Sequence, residues 1–234
     1  MTQGVGTNGP FEVIPAKRVN MMIDVNLKGT LNVTRAFLPL MRGETIEDIH
    51  KDQRIISKWA QRFGAWHWKR GVHGRIVNIA SVAGRVPTQS GCVYCATKHG
   101  VVAFSEAIRN EMHLCFGIWT SIVEPFFTLT PMIENNTVDK YKDMIDHETP
   151  QSVFNVYSKK AVLQTHERIQ QRIMKVAERT PDSVLDCVIH ALDGLFPYCA
   201  YRPNFVAKAY VMARWLFGIV VGSHGPYFLL DHGS

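Results

Sequence analysis

Gly74-Arg75-Ile76-Val77-Asn78-Ile79-Ala80-Ser81 is the stretch that decides the fold. A glycine opens it, β-branched residues stand at Ile76, Val77 and Ile79, and a serine closes it. A run that is apolar at nearly every position suits a strand buried on both faces of a parallel sheet. A Ser/Gly/Pro/Thr loop follows from Ser81 to Gly91, then an apolar helix over residues 93–115 that Gly117 stops. Ile118 to Val123 reads as a second buried strand. Upstream, the spacing of Met22, Val25, Leu27, Leu31, Phe37, Leu38 and Met41 predicts a helix over residues 18–42, ended by Gly43. This alternation of helix, strand, loop, helix and strand is the pattern of an α/β fold.

Further along, residues 126–157 read as irregular and polar. Residues 158–179 predict an amphipathic helix with Val162, Ile169, Ile173 and Val176 on one face. Thr180-Pro181-Asp182 reads as an N-cap, a proline at the first helical position and an acid in the first turn. The helix it opens runs to Leu195, and Tyr198 to Tyr201 reads as a last short strand. Residues 43–72 break the rhythm with dense charge and Trp59, Trp66 and Trp68. Connections in α/β units usually take 2–6 residues, so this insertion is expected to protrude from the core.

The 234 residues suit a single domain with that insertion and an apolar C-terminal segment at 205–230. With 46% hydrophobic and 20% charged residues, the chain is not a disordered tail, a collagen or a coiled coil. A formal charge of +6 leans mildly toward anionic partners. The basic, Trp-rich insertion reads as a surface element, and no nucleic-acid partner is expected. Five cysteines fit a reducing, intracellular compartment. Cys92-x-x-Cys95 has no second pair to complete a zinc set, so no metal is expected. The stretch from Trp215 to Leu230 is interrupted at Gly222, Ser223, His224 and Pro226. It falls short of the ~20 apolar residues of a spanning helix, which leaves a membrane-interface element or a part of the core.

Tyr94 and Lys98 stand at i and i+4 near the start of the 93–115 helix, hence on one face. An ammonium beside a phenol favours the phenolate and makes tyrosine a usable general acid or base. Ser81 follows the first strand at its carboxyl end, where open α/β sheets build their sites. A hydroxyl there can hydrogen-bond a carbonyl oxygen beside the tyrosine.

At these residues the chain resembles the short-chain dehydrogenase/reductase family. Asp24-Val25-Asn26-Leu27-Lys28-Gly29-Thr30 is similar to its V-N-x-x-G helix, residues 74–81 to its serine strand, and Tyr94-Cys95-Ala96-Thr97-Lys98 to its Tyr-x-x-x-Lys helix. Val123-Glu124-Pro125 and Thr130-Pro131 resemble the loop after the next strand. The wording is nearest the branch of retinol, 17β-hydroxysteroid and 3-hydroxybutyrate dehydrogenases. The resemblance implies a Rossmann-like, doubly wound parallel sheet truncated in its N-terminal half, because the strand and Gly-rich turn that open the family would lie upstream of Met1. It implies NAD or NADP as cofactor and a small apolar alcohol or ketone as substrate. Tyr94 becomes the acid/base. Lys98 lowers its pKa and holds the nicotinamide ribose, Ser81 orients the substrate oxygen, and Asn26 holds a relay water. Pro125 and Thr130 line the nicotinamide, and Phe126 stands where the family carries a glycine. A homodimer or homotetramer through the helices at 18–42 and 93–115 is implied, with the endoplasmic reticulum or mitochondrial membrane surface as a further contact. The alternative is a catalytically inactive truncated form that acts by association with other subunits. For the isolated chain, weak dinucleotide binding and little turnover are expected.

Overall fold

The structure, a computed structural model, describes residues 4–44 and 74–217. Most of the expected 43–72 protrusion, with its three tryptophans, lies outside the described residues, as does the chain beyond Phe217.

Three strands form the sheet: β1 (Arg75–Ile79), β2 (Trp119–Val123) and β3 (Ala200–Tyr201), in the order β1-β2-β3. Both pairings are parallel, with Arg75 opposite Trp119, Ile79 opposite Val123, and Val123 opposite Tyr201. Helix α1 (Ala16–Met22) runs through a π-helical turn, Ile23–Lys28, into α2 (Gly29–Met41). Helix α3 spans Cys92–Phe116. It ends at Gly117, whose φ of 65° is the left-handed region that glycine enters without a Cβ penalty.

Strand alternation sends side chains to the two faces. Ile76 packs on Ile108, Met112 and Ile118, and Ala80 on Val101 and Val102, so α3 covers one face. Val77 and Ile79 point the other way, toward Val184, Cys187 and Val188 of α7 (Asp182–Asp193). Helices on both faces of a parallel sheet make the doubly wound, Rossmann-like architecture. β2 is buried at four of its five positions, as expected for a central strand. β1 departs from the expectation, because only Ile76 and Asn78 are fully buried. Its inward polar residue is satisfied by a hydrogen bond from Asn78 to Ser105, 2.8 Å long.

The reading of residues 126–157 as irregular is overturned. They hold α4 (Pro131–Glu134), α5 (Val138–His147) and a 3-10 turn at Gln151–Asn155. The polarity that masked α5 belongs to its outer face; Tyr141, Met144 and Ile145 turn inward on Val13 and Val162. Helix α6 (Lys159–Val176) is capped by Ser158, and its buried residues are Val162, His166 and Ile173, while Val176 is exposed. Pro181 sits at the N-cap of α7, one place earlier than expected, and Gly194 ends that helix before Leu195. The last described helix, α8 (Phe205–Phe217), follows β3. No helix among the described residues is long and apolar enough to cross a membrane.

Candidate active site

The carboxyl ends of β1 and β2 bring the chemistry together. Ser81 leaves β1 in extended backbone, and its Oγ accepts the Ala83 N–H at 3.1 Å to cap a 3-10 turn, Val82–Gly84. That turn lies hard against α3, where a Cβ on Gly84 would meet the Lys98 carbonyl at 2.7 Å. Only glycine permits the approach, and it holds Ser81 over the first turns of α3. The Ser81 hydroxyl acts on the Tyr94 phenol, favouring its ionised form. Lys98, one turn on, places its Nζ 5.7 Å from the Tyr94 ring centre and donates to the Ile79 carbonyl at 3.3 Å. Residues 81, 94 and 98 therefore converge.

The electrostatics differ from the sequence expectation. Burial pushes the Tyr94 phenol up to about 12, and the Ser81 hydroxyl opposes that shift without cancelling it. Burial also brings the Lys98 ammonium down to about 8. The expected lowering of Tyr94 by Lys98 is thus absent in the unliganded site. Desolvation is the leading cause for both groups.

Asn26 is 2% exposed and lies in the π-helical turn, a distortion that recurs at functional sites. Its Oδ1 accepts the Val5 N–H at 2.8 Å, and its Nδ2 donates to the Val5 carbonyl at 2.8 Å and to Thr97 Oγ1 at 3.2 Å. Both amide hydrogens are committed, so the side chain acts as a clamp on the 4–6 segment. That clamp brings backbone to the site: a Cβ on Gly4 would lie 3.8 Å from both Asn26 Oδ1 and Lys98 Nζ, and one on Gly6 would lie 3.5 Å from the Tyr94 ring.

Pro125 joins the group through its carbonyl, which accepts the Val82 N–H at 3.0 Å and the Ser81 hydroxyl at 3.5 Å. Thr130 starts α4, and its carbonyl accepts from Ile133 and Glu134. Met132, two residues on, has its Sδ 3.9 Å from the Cβ point above Gly6. Phe126 is not among the residues with positive φ and packs its ring 4.8 Å from Phe127 and 5.8 Å from Tyr210 of α8. Cys95 is buried and its Sγ accepts from the Thr88 N–H at 3.4 Å, while Cys92 is exposed.

Glu124 was quoted in the sequence motif but given no role there. It is fully buried directly after β2. Its Oε1 lies 2.6 Å from Arg85 Nε, its Oε2 2.8 Å from Arg202 Nε, and Arg85 also pairs with Glu106 at 2.6 Å. The carboxylate thus ties the loops after all three strands. An acid that follows a buried strand must be paired if it is buried itself, which is the signal that finds it.

The short chain dehydrogenase family model matches residues 59–141, a span holding Ser81, Tyr94 and Lys98. The chain is 28% identical over 229 residues to retinol dehydrogenase 16 of Mus musculus, covering 97% of this chain and 60% of the relative. It is 30% identical over 202 residues to the mitochondrial D-beta-hydroxybutyrate dehydrogenase of Rattus norvegicus, covering 86% and 50%. The chain is thus similar to the short-chain dehydrogenases over the stretch that holds these three residues. It spans about half to three-fifths of the length of these curated relatives. The solved structure of a short chain dehydrogenase/reductase from Burkholderia phymatum, in complex with NAD, superposes with a TM-score of 0.62 at 20% identity, over 91% of this chain and 63% of that one. The fold is thereby shared, and the span matched by the family model contains Ser81, Tyr94 and Lys98.

Proposed function

We propose that this protein is an NAD- or NADP-dependent oxidoreductase that interconverts an alcohol and a ketone or aldehyde on an apolar substrate. The observation that carries the reading is the position of Ser81 at the carboxyl end of β1 over the first turns of α3, with buried Lys98 one turn on from Tyr94 and its Nζ 5.7 Å from the Tyr94 ring centre. Tyr94 donates its proton to the substrate carbonyl oxygen in reduction and takes the hydroxyl proton in oxidation. With its phenol at about 12, it is protonated at neutral pH and ready to donate. Ser81 orients the same oxygen. The residues present fit the nicotinamide-ribose end of a dinucleotide: Lys98 offers an ammonium held by one neutral carbonyl, beside the side-chain-free backbone of Gly4 and Gly6. Pro125 and Thr130 border the nicotinamide. When bound, the dinucleotide supplies or accepts the hydride.

The matched relatives are named for retinol, D-beta-hydroxybutyrate and, in Bos taurus, a 17-beta-hydroxysteroid. The aromatic wall of Phe126, Phe127 and Tyr210 favours the larger apolar alcohols among these. Association into a homodimer or homotetramer through α1–α2 and α3 belongs to the same reading, and Val33 on α2 is exposed as such a face requires. Initial rates with a panel of retinoid, steroid and hydroxy-acid substrates, and NADH or NADPH, test it. Tyr94→Phe should lower kcat about 10²–10⁴-fold if proton transfer is its role, with dinucleotide affinity by fluorescence changed only a few-fold. A Tyr94→Phe variant as active as wild type would overturn it.

A further inference from the structure

Cys92-x-x-Cys95 has no part in the proposed reaction, yet Tyr94 stands between its two cysteines in the first turn of α3. Cys92 is exposed, Cys95 is 3% exposed, and both are free thiols. An exposed and a buried thiol one turn apart divide the work of thiol–disulfide exchange: the outer sulfur attacks, and the inner one resolves the mixed disulfide. The first turn of α3 carries no acid, so the helix itself sets no negative charge beside the outer sulfur.

Geometry sets what closure does. Residues three apart on a helix have Cβ atoms ~5–6 Å apart, whereas a disulfide needs about 3.5–4.5 Å. Closing the pair therefore draws the turn together by roughly 1–2 Å. A helix start tolerates this, because its first amides have no intrahelical partner. A bond closed under such strain is readily reduced again.

The buried sulfur also holds a loop. Cys95 Sγ accepts the Thr88 N–H at 3.4 Å, and Thr88 Oγ1 lies 3.5 Å from it. The Gly91 N–H donates to the Thr88 carbonyl at 3.2 Å, and Ser90 between them has a φ of 61°, in the left-handed region. A serine stays there only while its surroundings hold it. The Ser90 carbonyl in turn accepts the Gly9 N–H at 2.7 Å. Gly9 continues the segment that passes the Tyr94 ring at Gly6. Cys95 thus latches the 88–91 loop, and that loop ties down the segment bordering the candidate site.

We propose that Cys92 and Cys95 form a reversible thiol–disulfide pair, closed by a low-molecular-weight disulfide, and that closure releases the 88–91 loop. Cys92 Sγ attacks the small disulfide, forming a mixed disulfide and expelling one thiol. Cys95 Sγ then attacks the Cys92 sulfur and expels the second. Two thiols of the chain are oxidised while one small disulfide is reduced to two thiols, which take up the protons the cysteines give. The pair does not rest on the proposed reaction; only an effect of closure on turnover does.

The full chain is equilibrated in glutathione buffers of rising disulfide content, quenched in acid, alkylated and mapped by peptide mass. Wild type should gain a Cys92–Cys95 cross-link that dithiothreitol removes. Cys92→Ser should gain none, and Cys95→Ser should stop at a glutathione adduct on Cys92. Cys92 is exposed, so Cys92→Ser should melt within a few degrees of wild type and serves as the folding control. Amide hydrogen exchange at Thr88 and Gly9 should be about tenfold or more faster in the closed form than in the reduced one. Absence of the cross-link in wild type, whatever happens at Cys115, Cys187 and Cys199, would overturn the proposal. Equal exchange at Thr88 in the two forms would overturn the release of the loop. Turnover is not read in this experiment, so its outcome stands apart from that of the Tyr94→Phe test.

Discussion

Two buried charges lie at the carboxyl ends of neighbouring strands and are treated in opposite ways. Glu124, after β2, is matched by Arg85 on one oxygen and Arg202 on the other. Lys98, beside the end of β1, meets the neutral Ile79 carbonyl and the face of the Tyr94 ring among the described residues, and its pKa is brought down to about 8 by burial. A buried charge that is fully countered serves as a brace, and its energy lies in the fold. A buried charge left without a counter-ion is kept at a cost to stability, which is expected where a ligand or a reacting group completes the site.

If that contrast is right, removing each charge should shift stability in opposite directions. The largest stability effect belongs to Glu124. Glu124→Ala strands two guanidinium groups between three loops and should destabilise by roughly 3–5 kcal/mol, read as a drop in the urea midpoint. The double variant Glu124→Leu/Arg85→Met should recover part of that loss, since replacing both partners leaves no unpaired charge at that contact. An unchanged midpoint in Glu124→Ala would remove the brace from the comparison.

Lys98→Met should instead stabilise the unliganded protein at pH 7, by about 2 kcal/mol once the unpaired Ile79 carbonyl is counted. The sign follows from the depressed pKa. The folded state prefers neutral lysine, so the penalty is full below about pH 8 and fades as pH rises toward 10.5. Thermal melts of wild type and variant should therefore converge at alkaline pH, while dinucleotide binding is lost at every pH. A variant less stable than wild type at pH 7 would show that Lys98 is already well compensated.

The smallest effect comes from a third buried group far from the site. His166 stacks on Tyr141 at 3.8 Å with the rings nearly parallel, and both ring nitrogens are buried, with the Asn136 backbone as their one polar neighbour among the described residues. Burial holds its pKa below the ordinary histidine value. The folded state then prefers neutral imidazole, so stability is intact above pH 6.5 and falls as acid protonates the unfolded chain first. His166→Phe should relieve acid sensitivity between pH 5 and 6.5 and change little at pH 8. Parallel curves for the two proteins across that range would sink the assignment. His166 also limits the lesson from Lys98. Lack of a counter-ion marks a reactive site only where other polar groups converge on it.

The elements that carry the chemistry were legible because their signals are local. A Tyr-x-x-x-Lys spacing on an apolar helix fixes one face, and a β-branched run before a serine fixes a strand end, whatever surrounds them. The inward face of α5 was not legible, because its charged outer positions outnumber three buried residues and its partners, Val13 and Val162, lie far off in sequence. Asn26 looked like a water ligand because its helix resembled one that carries such a residue. Its engagement with Val5 and Thr97 depends on where residues 4–6 return to the site.

By itself the sequence determined the α/β alternation, the parallel pairing of β1 with β2, and the placement of Tyr94 and Lys98 on one helix face. These follow from backbone periodicity, which each residue obeys within a few neighbours. Only the tertiary structure decided that Tyr94 is pushed up to about 12 and not lowered, and that Glu124 joins three loops. It also decided that Asn26 clamps the 4–6 segment. Desolvation and ion pairing depend on what packs around a group from every direction, and for these residues the neighbours come from segments tens of residues away.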